Sequence, residues 1–297
     1  MKRLSFVCIL LWASSALAQD DDKEAKAGDK VPATGQFSLL GTECKAEDET
    51  TIDTTPGSPP LDVDDPGTPG CNAWEVNIVT SGDFGKSVNW ETPLFDINYG
   101  VGDNIQLKYE VPYQLGKIDG VSSDGFGRAE FGIKYRFYEN ESKVLTIAVY
   151  PQLEFAIPGT TAAKGDAGIG TITKFPVLMS RKIAEFNHGD VMITANAGYN
   201  YSTEPGTQHY ISAAFGIGFP LTSAVAVMVE ASTDQAMTKP MDGARERYVK
   251  ANVGLFGQVN SHLLVLGAVG RSFASSEIDD AGHPFLIFGV RVLAGGP

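Results

Sequence analysis

The chain has 297 residues, of which 43% are hydrophobic, 10% are aromatic and 33 are glycine. This hydrophobic content is too low for a polytopic helical membrane protein, and the many glycines and aromatics are typical of an all-β protein with many turns. The formal net charge of −13 argues against nucleic acid as a partner, because phosphate binding requires clustered basic residues.

Residues 1–18 have the three parts of a secretory signal peptide. A positive start is followed by an apolar stretch over 4–12 and by a small-residue cleavage site at 16–18. The apolar stretch is too short to span a bilayer, and no cysteine stands at the cleavage point for lipid attachment. We therefore expect an exported protein whose mature chain begins at Gln19.

Residues 19–73 form an acidic leader. Five prolines between residues 56 and 69 disfavour any regular element there. We predict a periplasmic leader, which could act as a plug, a tether or a spacer. Cys44 and Cys71 bracket its most proline-rich part, and in an oxidising compartment we predict a disulfide between them, with two free thiols as the alternative.

From residue 74 onward, apolar and polar residues alternate with the period of two that is typical of β-strands. In the first hairpin Phe95 and Ile97 alternate with Asp96, and a glycine-rich turn follows at 100–103. In chain order the predicted strands are 74–81, 89–100, 104–113, 126–138, 143–157, 172–184, 190–201, 207–219, 223–232, 246–258, 261–272 and 284–293.

The connections between these strands alternate in length. The short ones are 100–103, 139–142, 185–189, 220–222 and 258–260. The longer ones are 114–125, 158–170, 233–245 and 273–283, with a modest link at 202–206. Outer-membrane barrels show this asymmetry and an even strand number, whereas a soluble sandwich has no reason to sort its loops. The sequence thus predicts an antiparallel transmembrane β-barrel of about 12 strands over 74–297, with short periplasmic turns and longer extracellular loops.

Residues 211–229 offer a competing interpretation. The stretch contains no charged residue and is long enough for a transmembrane helix. Pro220 lies near its middle, between two glycines and a Thr-Ser pair, and these residues would break a helix. We therefore predict two strands joined by a turn.

The more polar face of the predicted strands carries charged residues. In a membrane barrel these must face the lumen, because a basic side chain facing lipid costs about 2–4 kcal/mol near the midplane. The predicted lumen-lining residues are Lys108, Glu110, Arg128, Glu130, Lys134, Arg136, Glu154, Glu230, Lys250 and Arg291. Two interpretations stay open: the ions pair across a small closed interior, or they line a water-filled path that orients a small solute.

No pattern in the chain predicts catalysis, a cofactor or a metal. The four histidines lie apart without metal-ligand spacing, and there is no nucleophile elbow or phosphate loop. The Gly-x-Gly pairs at 125–127 and 216–218 fall in predicted strands, where glycines more often ease barrel curvature than bind nucleotides. We expect that the protein is not an enzyme and has no catalytic, cofactor-binding or metal site.

A set of short motifs lies within residues 74–113, namely Trp74-Glu75, Glu91-Thr-Pro93, Asp96-x-x-Tyr99-Gly100 and Gln106-Leu-x-x-Glu110-x-Pro112. These motifs resemble the outer-membrane "MetA-pathway of phenol degradation" transporter family. The resemblance implies a Gram-negative outer-membrane β-barrel with a role in the uptake of small, often aromatic, compounds. The chain departs from the family in its acidic leader, and its last strand lacks the terminal aromatic residue usual in barrel-assembly signals.

The sequence as a whole predicts an outer-membrane β-barrel that is a channel or transporter for a small solute, which could be aromatic or hydrophobic. The expected partners are outer-membrane lipid, the solute and the barrel-assembly machinery, without nucleic acid. One alternative is a closed structural barrel without transport. The other is a soluble exported β-sandwich that binds a ligand.

Overall fold

The computed structural model describes residues 44, 52–85, 88–118, 121–140, 144–160, 170–203, 208–237, 247–274 and 282–296. The predicted signal peptide, most of the leader and parts of the longer connections lie outside these residues. Within the described ranges, no helix is long and apolar enough to cross a membrane.

The described chain forms fourteen β-strands. They are β1 Ala73–Phe84, β2 Val88–Gly100, β3 Ile105–Ile118, β4 Val121–Phe126, β5 Ala129–Glu139, β6 Leu145–Val149, β7 Gln152–Phe155, β8 Ile172–Phe186, β9 Gly189–Ser202, β10 Tyr210–Thr222, β11 Val225–Ala236, β12 Arg247–Asn260, β13 Leu263–Ala274 and β14 Pro284–Gly295.

All fourteen strands belong to one antiparallel sheet, and β14 pairs with β1 to close it. Strands β4 and β5 pair with successive parts of β3, and β6 and β7 pair with successive parts of β8. Each of these two pairs therefore takes the place of one strand. When each pair is counted once, the sheet is a closed barrel of twelve strands. This confirms the predicted fold class.

The competing interpretations of the fold are wrong. A single closed sheet leaves no second sheet for a sandwich, so the soluble β-sandwich is excluded. Residues 211–229 form most of the β10–β11 hairpin instead of a helix. The predicted connection 114–125 is also wrong in part, because β3 continues to Ile118 and pairs there with β4, so that a long hairpin replaces a loop.

The interruption between β6 and β7 has a chemical cause. Pro151 has no N–H group and cannot donate to a neighbouring strand. Its carbonyl oxygen still accepts a hydrogen bond from the Ile133 N–H at 3.0 Å, and the Tyr150 N–H donates to the Pro176 carbonyl at 3.1 Å. The hydrogen bonding of the barrel wall therefore continues through the interruption.

The two faces of the barrel wall have opposite character. In β5, Phe131, Ile133 and Tyr135 are 42%, 42% and 48% exposed. Glu130 and Lys134, which alternate with them, are only 5% and 4% exposed. This distribution of exposed apolar and buried charged side chains is the reverse of that in a soluble protein. It matches a barrel with an apolar outer surface for lipid and a polar interior.

Aromatic pairs lie near both ends of the barrel. Trp74 contacts Tyr99 at the end where the short turns 101–104, 187–188, 223–224 and 261–262 are found, which we call the short-turn end. At the opposite, long-loop end, Phe84 contacts Trp90 and Tyr113 contacts Phe126. Such aromatic girdles are typical of the two membrane–water interfaces.

Candidate functional site: the barrel interior and its plug

Residues 52–72, which we call the plug, lie inside the barrel. At the short-turn end the Ile52 N–H donates to the Ser223 carbonyl at 3.3 Å, and the Thr68 hydroxyl donates to the Asp103 carbonyl at 2.8 Å. Between these two points the chain reaches further into the lumen. The plug is therefore a loop that enters and leaves at the same end, whereas residues 19–43 and 45–51 of the predicted leader lie outside the described residues.

The plug runs inward over residues 52–61, its first leg, turns at residues 62–63, its tip, and returns over residues 64–72, its second leg. Apolar contacts hold the first leg and the adjoining side chain of the tip. Ile52, Leu61 and Val63 are almost completely buried. They form one hydrophobic cluster with the barrel residues Val79, Ala214, Ala226, Met228, Phe256 and Leu266. Burial of three such side chains favours the inserted plug by about 1.5–3 kcal/mol each.

Glycines on the inner wall make room for this leg. An added Cβ at Gly216 would be 2.7 Å from the Cβ of Pro56, and one at Gly218 would collide with the Thr54 carbonyl oxygen. On β12, an added Cβ at Gly254 would be 3.0 Å from Leu61. These three residues, the glycine groove, allow the plug backbone to approach the wall closely.

The tip of the plug is held by polar side chains of β11 and β12. Glu230 accepts a hydrogen bond from the Val63 N–H at 2.7 Å. Asp62 accepts one from the Ser232 hydroxyl at 2.7 Å, and the Lys250 ammonium lies 3.3 Å from its other oxygen. The tip therefore has both backbone and side-chain partners on the barrel wall.

The second leg of the plug contacts a polar wall. The Lys134 ammonium donates to the Gly67 carbonyl at 3.0 Å, and the Asn196 amide donates to the Asp64 carbonyl at 3.3 Å. Burial raises the pKa of the Asp64 carboxyl, and the positive charges of Lys108 and Lys134 offset this only in part. The charged form of this carboxyl group is therefore disfavoured where the second leg lies against the wall.

The predicted disulfide is confirmed. Cys44 and Cys71 are bonded, with 5.5 Å between their Cα atoms. Next to Cys71, the Asn72 N–H donates to the Gly100 carbonyl at 3.0 Å. The disulfide therefore lies at the short-turn end, where the plug returns to the barrel wall.

Five of the ten predicted lumen residues join one network of ion pairs. The Lys108 ammonium lies 2.8 Å from both Glu110 and Glu130. A second ammonium, that of Lys174, is 2.8 Å from Glu130 and also contacts Glu154, which the Arg128 guanidinium approaches to 3.7 Å. Lys174 was missing from the predicted set, although it connects the two halves of the network.

The other five predicted residues lie elsewhere along the inner wall and the rim. Lys134, Glu230 and Lys250 contact the plug as described above. Arg291 donates to the Pro59 carbonyl at 3.4 Å and lies 3.2 Å from Glu75. At the short-turn end, Arg136 donates to the Asp103 carbonyl at 2.7 Å and pairs with Glu139 at 3.2 Å. A role for the ten residues in a solute path stays a prediction.

Two cavities flank the plug. The larger, of about 510 Å³, lies towards the long-loop end and is bounded by Asp62, Asp83, Glu91 and Phe285 among others. The smaller, of about 250 Å³, lies between the second leg and the charged wall of β3 and β5. In the part of the chain that the structure describes, no group of three or more His, Cys, Asp or Glu side chains is arranged to hold a metal ion.

No protein-family model and no curated protein matches the chain. Among solved structures, the COG4313 outer membrane channel from Pseudomonas putida F1 is similar with a TM-score of 0.63 and 10% identity, over 79% of this chain and 100% of that one. The KdgM porin is similar with a TM-score of 0.50 and 10% identity, over 73% of this chain and 98% of that one.

At such low identity, this likeness establishes the fold alone. The fold is that of an outer-membrane β-barrel of the channel and porin type. Together with the apolar outer surface, it assigns the protein to the outer membrane.

Proposed function

We propose that the protein is an outer-membrane channel for a small solute and that the plug controls passage by occupying the lumen. The observation that carries this proposal is the fit between the plug and the glycine groove of a closed barrel. A closed structural barrel could fill its interior with large side chains, as small barrels do. Here the wall is instead recessed by glycines, and a separate segment of chain fills the space.

Displacement of the plug would open a path through the interior, with charged side chains on part of its wall. Glu230, Lys250 and Arg291 contact the plug now and would then face water. The cavities of about 510 and 250 Å³ on either side would join. A path with charged walls selects and orients solutes by electrostatics and size without any chemical step.

The resemblance to the MetA-pathway transporter family supports small, often aromatic, compounds as the solutes. The larger cavity is wide enough for a single ring, and Phe285 and Ile287 give it an apolar wall. We infer a passive, non-enzymatic role.

Single-channel recording in planar lipid bilayers tests the proposal. We expect the mature chain, from residue 19, to show small or brief current steps, and a chain lacking residues 19–72 to show steps that are several-fold larger. A heat-dependent shift in gel mobility controls for correct folding of both. If the shortened, folded barrel conducts no more than the mature chain, the closed structural barrel without transport is the better description.

A further inference from the structure

The larger cavity has the features of a ligand site of its own. Its volume of about 510 Å³ lies within the usual range for small-molecule sites, and its floor is the tip of the plug at Asp62. Carboxylates of Asp83 and Glu91 and the ring of Phe285 line it from three different strands. These strands are held together by continuous pairing of β14 to β1 and of β1 to β2, so the site is preformed.

The described lining of this cavity has a negative formal charge. Among the described residues that line it, Lys250 is the one lysine or arginine, and its charge is offset by Asp62 at 3.3 Å. Glu91 accepts hydrogen bonds from the Gln114 amide at 3.1 Å and the Ser81 hydroxyl at 3.5 Å, and neither of these donors is charged. The Glu91 carboxyl group is therefore held at the cavity wall by two neutral donors.

Asp83 adds to this excess. Its carboxylate lies 3.2 Å from the Nε2 atom of His283, which carries a charge only when protonated. The rest of the polar lining, which includes Asn89, Gln114 and Ser81, is neutral. An anion in the cavity would face two carboxylates, and a neutral solute would leave their charge without a partner.

An aromatic ring faces the same space. Phe285 is only 9% exposed, and the Lys250 ammonium lies 5.9 Å from the centre of its ring. The ring is thus part of the cavity wall, and Lys250 shows that a cation can lie over its π-face. Beside it, Ile287 packs against the hydrophobic cluster and continues the apolar wall.

We infer that this cavity binds a small organic cation, in which an ammonium group is attached to a compact apolar body. Asp83 and Glu91 would hold the ammonium group, and Phe285 with Ile287 would contact the apolar part. The inference rests on the proposed function in that it names the class of solute for that channel. Binding itself does not require conduction and can be measured separately.

Isothermal titration calorimetry of the mature protein in a non-ionic detergent tests the inference. The probes are benzyltrimethylammonium, benzyl alcohol and benzoate, which share a ring and differ in charge. We expect saturable binding of one molecule of benzyltrimethylammonium per barrel, and affinity at least tenfold weaker for the other two. Substitution Glu91→Gln should weaken binding of the cation about tenfold, because it removes one of the two charges that attract it.

Glu185→Gln is the matched control. It makes the same change at an exposed turn on the opposite end of the barrel and should leave cation binding unchanged. Asp83→Asn is the second test variant, should Glu91→Gln fail to fold. Benzoate or benzyl alcohol that binds as tightly as the cation overturns the inference, as does unchanged affinity in the folded test variants. Conductance without cation binding rejects this inference alone, and cation binding without conductance rejects the channel instead.

Discussion

At the scale of single residues, the charges on β3, β5, β7 and β8 pair with one another on the inner wall of the barrel. Lys174 is the clearest case, because its ammonium on β8 contacts Glu130 on β5 and Glu154 on β7. Its side chain is 24% exposed. Removal of one partner from such a buried network leaves uncompensated charge, which costs more than the pair itself contributes.

Substitution Lys174→Met should therefore destabilise the barrel. Glu130 would keep Lys108 and Glu154 would keep Arg128, but the connection between the two pairs would be lost. Allowing for partial exposure, we expect the free energy of unfolding to fall by about 2–3 kcal/mol. Urea unfolding of the barrel in lipid vesicles, followed by tryptophan fluorescence, measures this.

Lys182→Met provides the comparison for that measurement. Lys182 also contacts two carboxylates, those of Glu185 and Asp190, but it does so at the solvent-exposed short-turn end. Exposed pairs of this kind contribute little, so the stability should not change measurably. Equal losses in the two variants would show that the interior network has no special role.

The sequence predicts five members of this network because they alternate with apolar residues along their strands. The sequence does not predict Lys174, because the residues that follow it are apolar on both faces of the strand. Phe175 and Val177 face lipid, while Pro176 and Leu178 face the interior. Where both faces of a strand are apolar, the period of two disappears, and the inner face can be identified only from the pairing with β7.

At the scale of elements, the two faces of β10 have different surroundings. Ile211 and Phe215 are exposed on the lipid side, whereas Gly216 and Gly218 receive the plug on the other. From the sequence, these two glycines are interpreted as positions that ease curvature. The pattern indicates a missing side chain but cannot indicate which segment occupies the space, because that contact joins residues far apart in the chain.

Substitution Gly218→Val should displace the plug and leave the barrel intact. The added side chain would collide with the Thr54 carbonyl, whereas valine itself is well suited to a strand. We expect current steps several-fold larger than those of the unmodified mature chain, together with faster proteolysis of the leader.

Gly257→Val is the control for this change. An added Cβ at Gly257 comes no closer than 4.0 Å to another atom, so valine fits there without contact with the plug. Its conductance and leader proteolysis should match those of the unmodified protein. If Gly218→Val also matches, the glycine groove does not determine the position of the plug.

At the scale of the whole molecule, the barrel could be predicted and the position of the plug could not. The alternation of apolar and polar residues and the alternation of short and long loops predict twelve strands and their direction, because both patterns follow from the geometry of a bilayer crossing. The plug has neither signal, and its acidic, proline-rich composition is also typical of a solvated segment. Three isolated apolar residues, Ile52, Leu61 and Val63, distinguish the plug from a solvated segment. They pack against apolar residues inside the closed barrel.

The disulfide then determines how the plug can move. Because Cys44 is bonded to Cys71, 27 positions further along the sequence, the chain between them forms a covalent loop whose returning end stays at the short-turn end of the barrel. A cross-link of this length lowers the entropy of the released loop, so it disfavours full withdrawal of the plug. Without the bond, the same segment gains more freedom on leaving the lumen, and the open state becomes more populated.

The double substitution Cys44→Ser with Cys71→Ser should therefore increase the fraction of time that single channels spend open, while the thermal stability of the barrel stays the same. Treatment of the unmodified mature protein with dithiothreitol should reproduce this increase. The reductant should have no effect on the double variant, which has no disulfide left to break. An equal response to dithiothreitol in both proteins, or open times that do not change when the bond is lost, would mean that the disulfide does not restrain the plug.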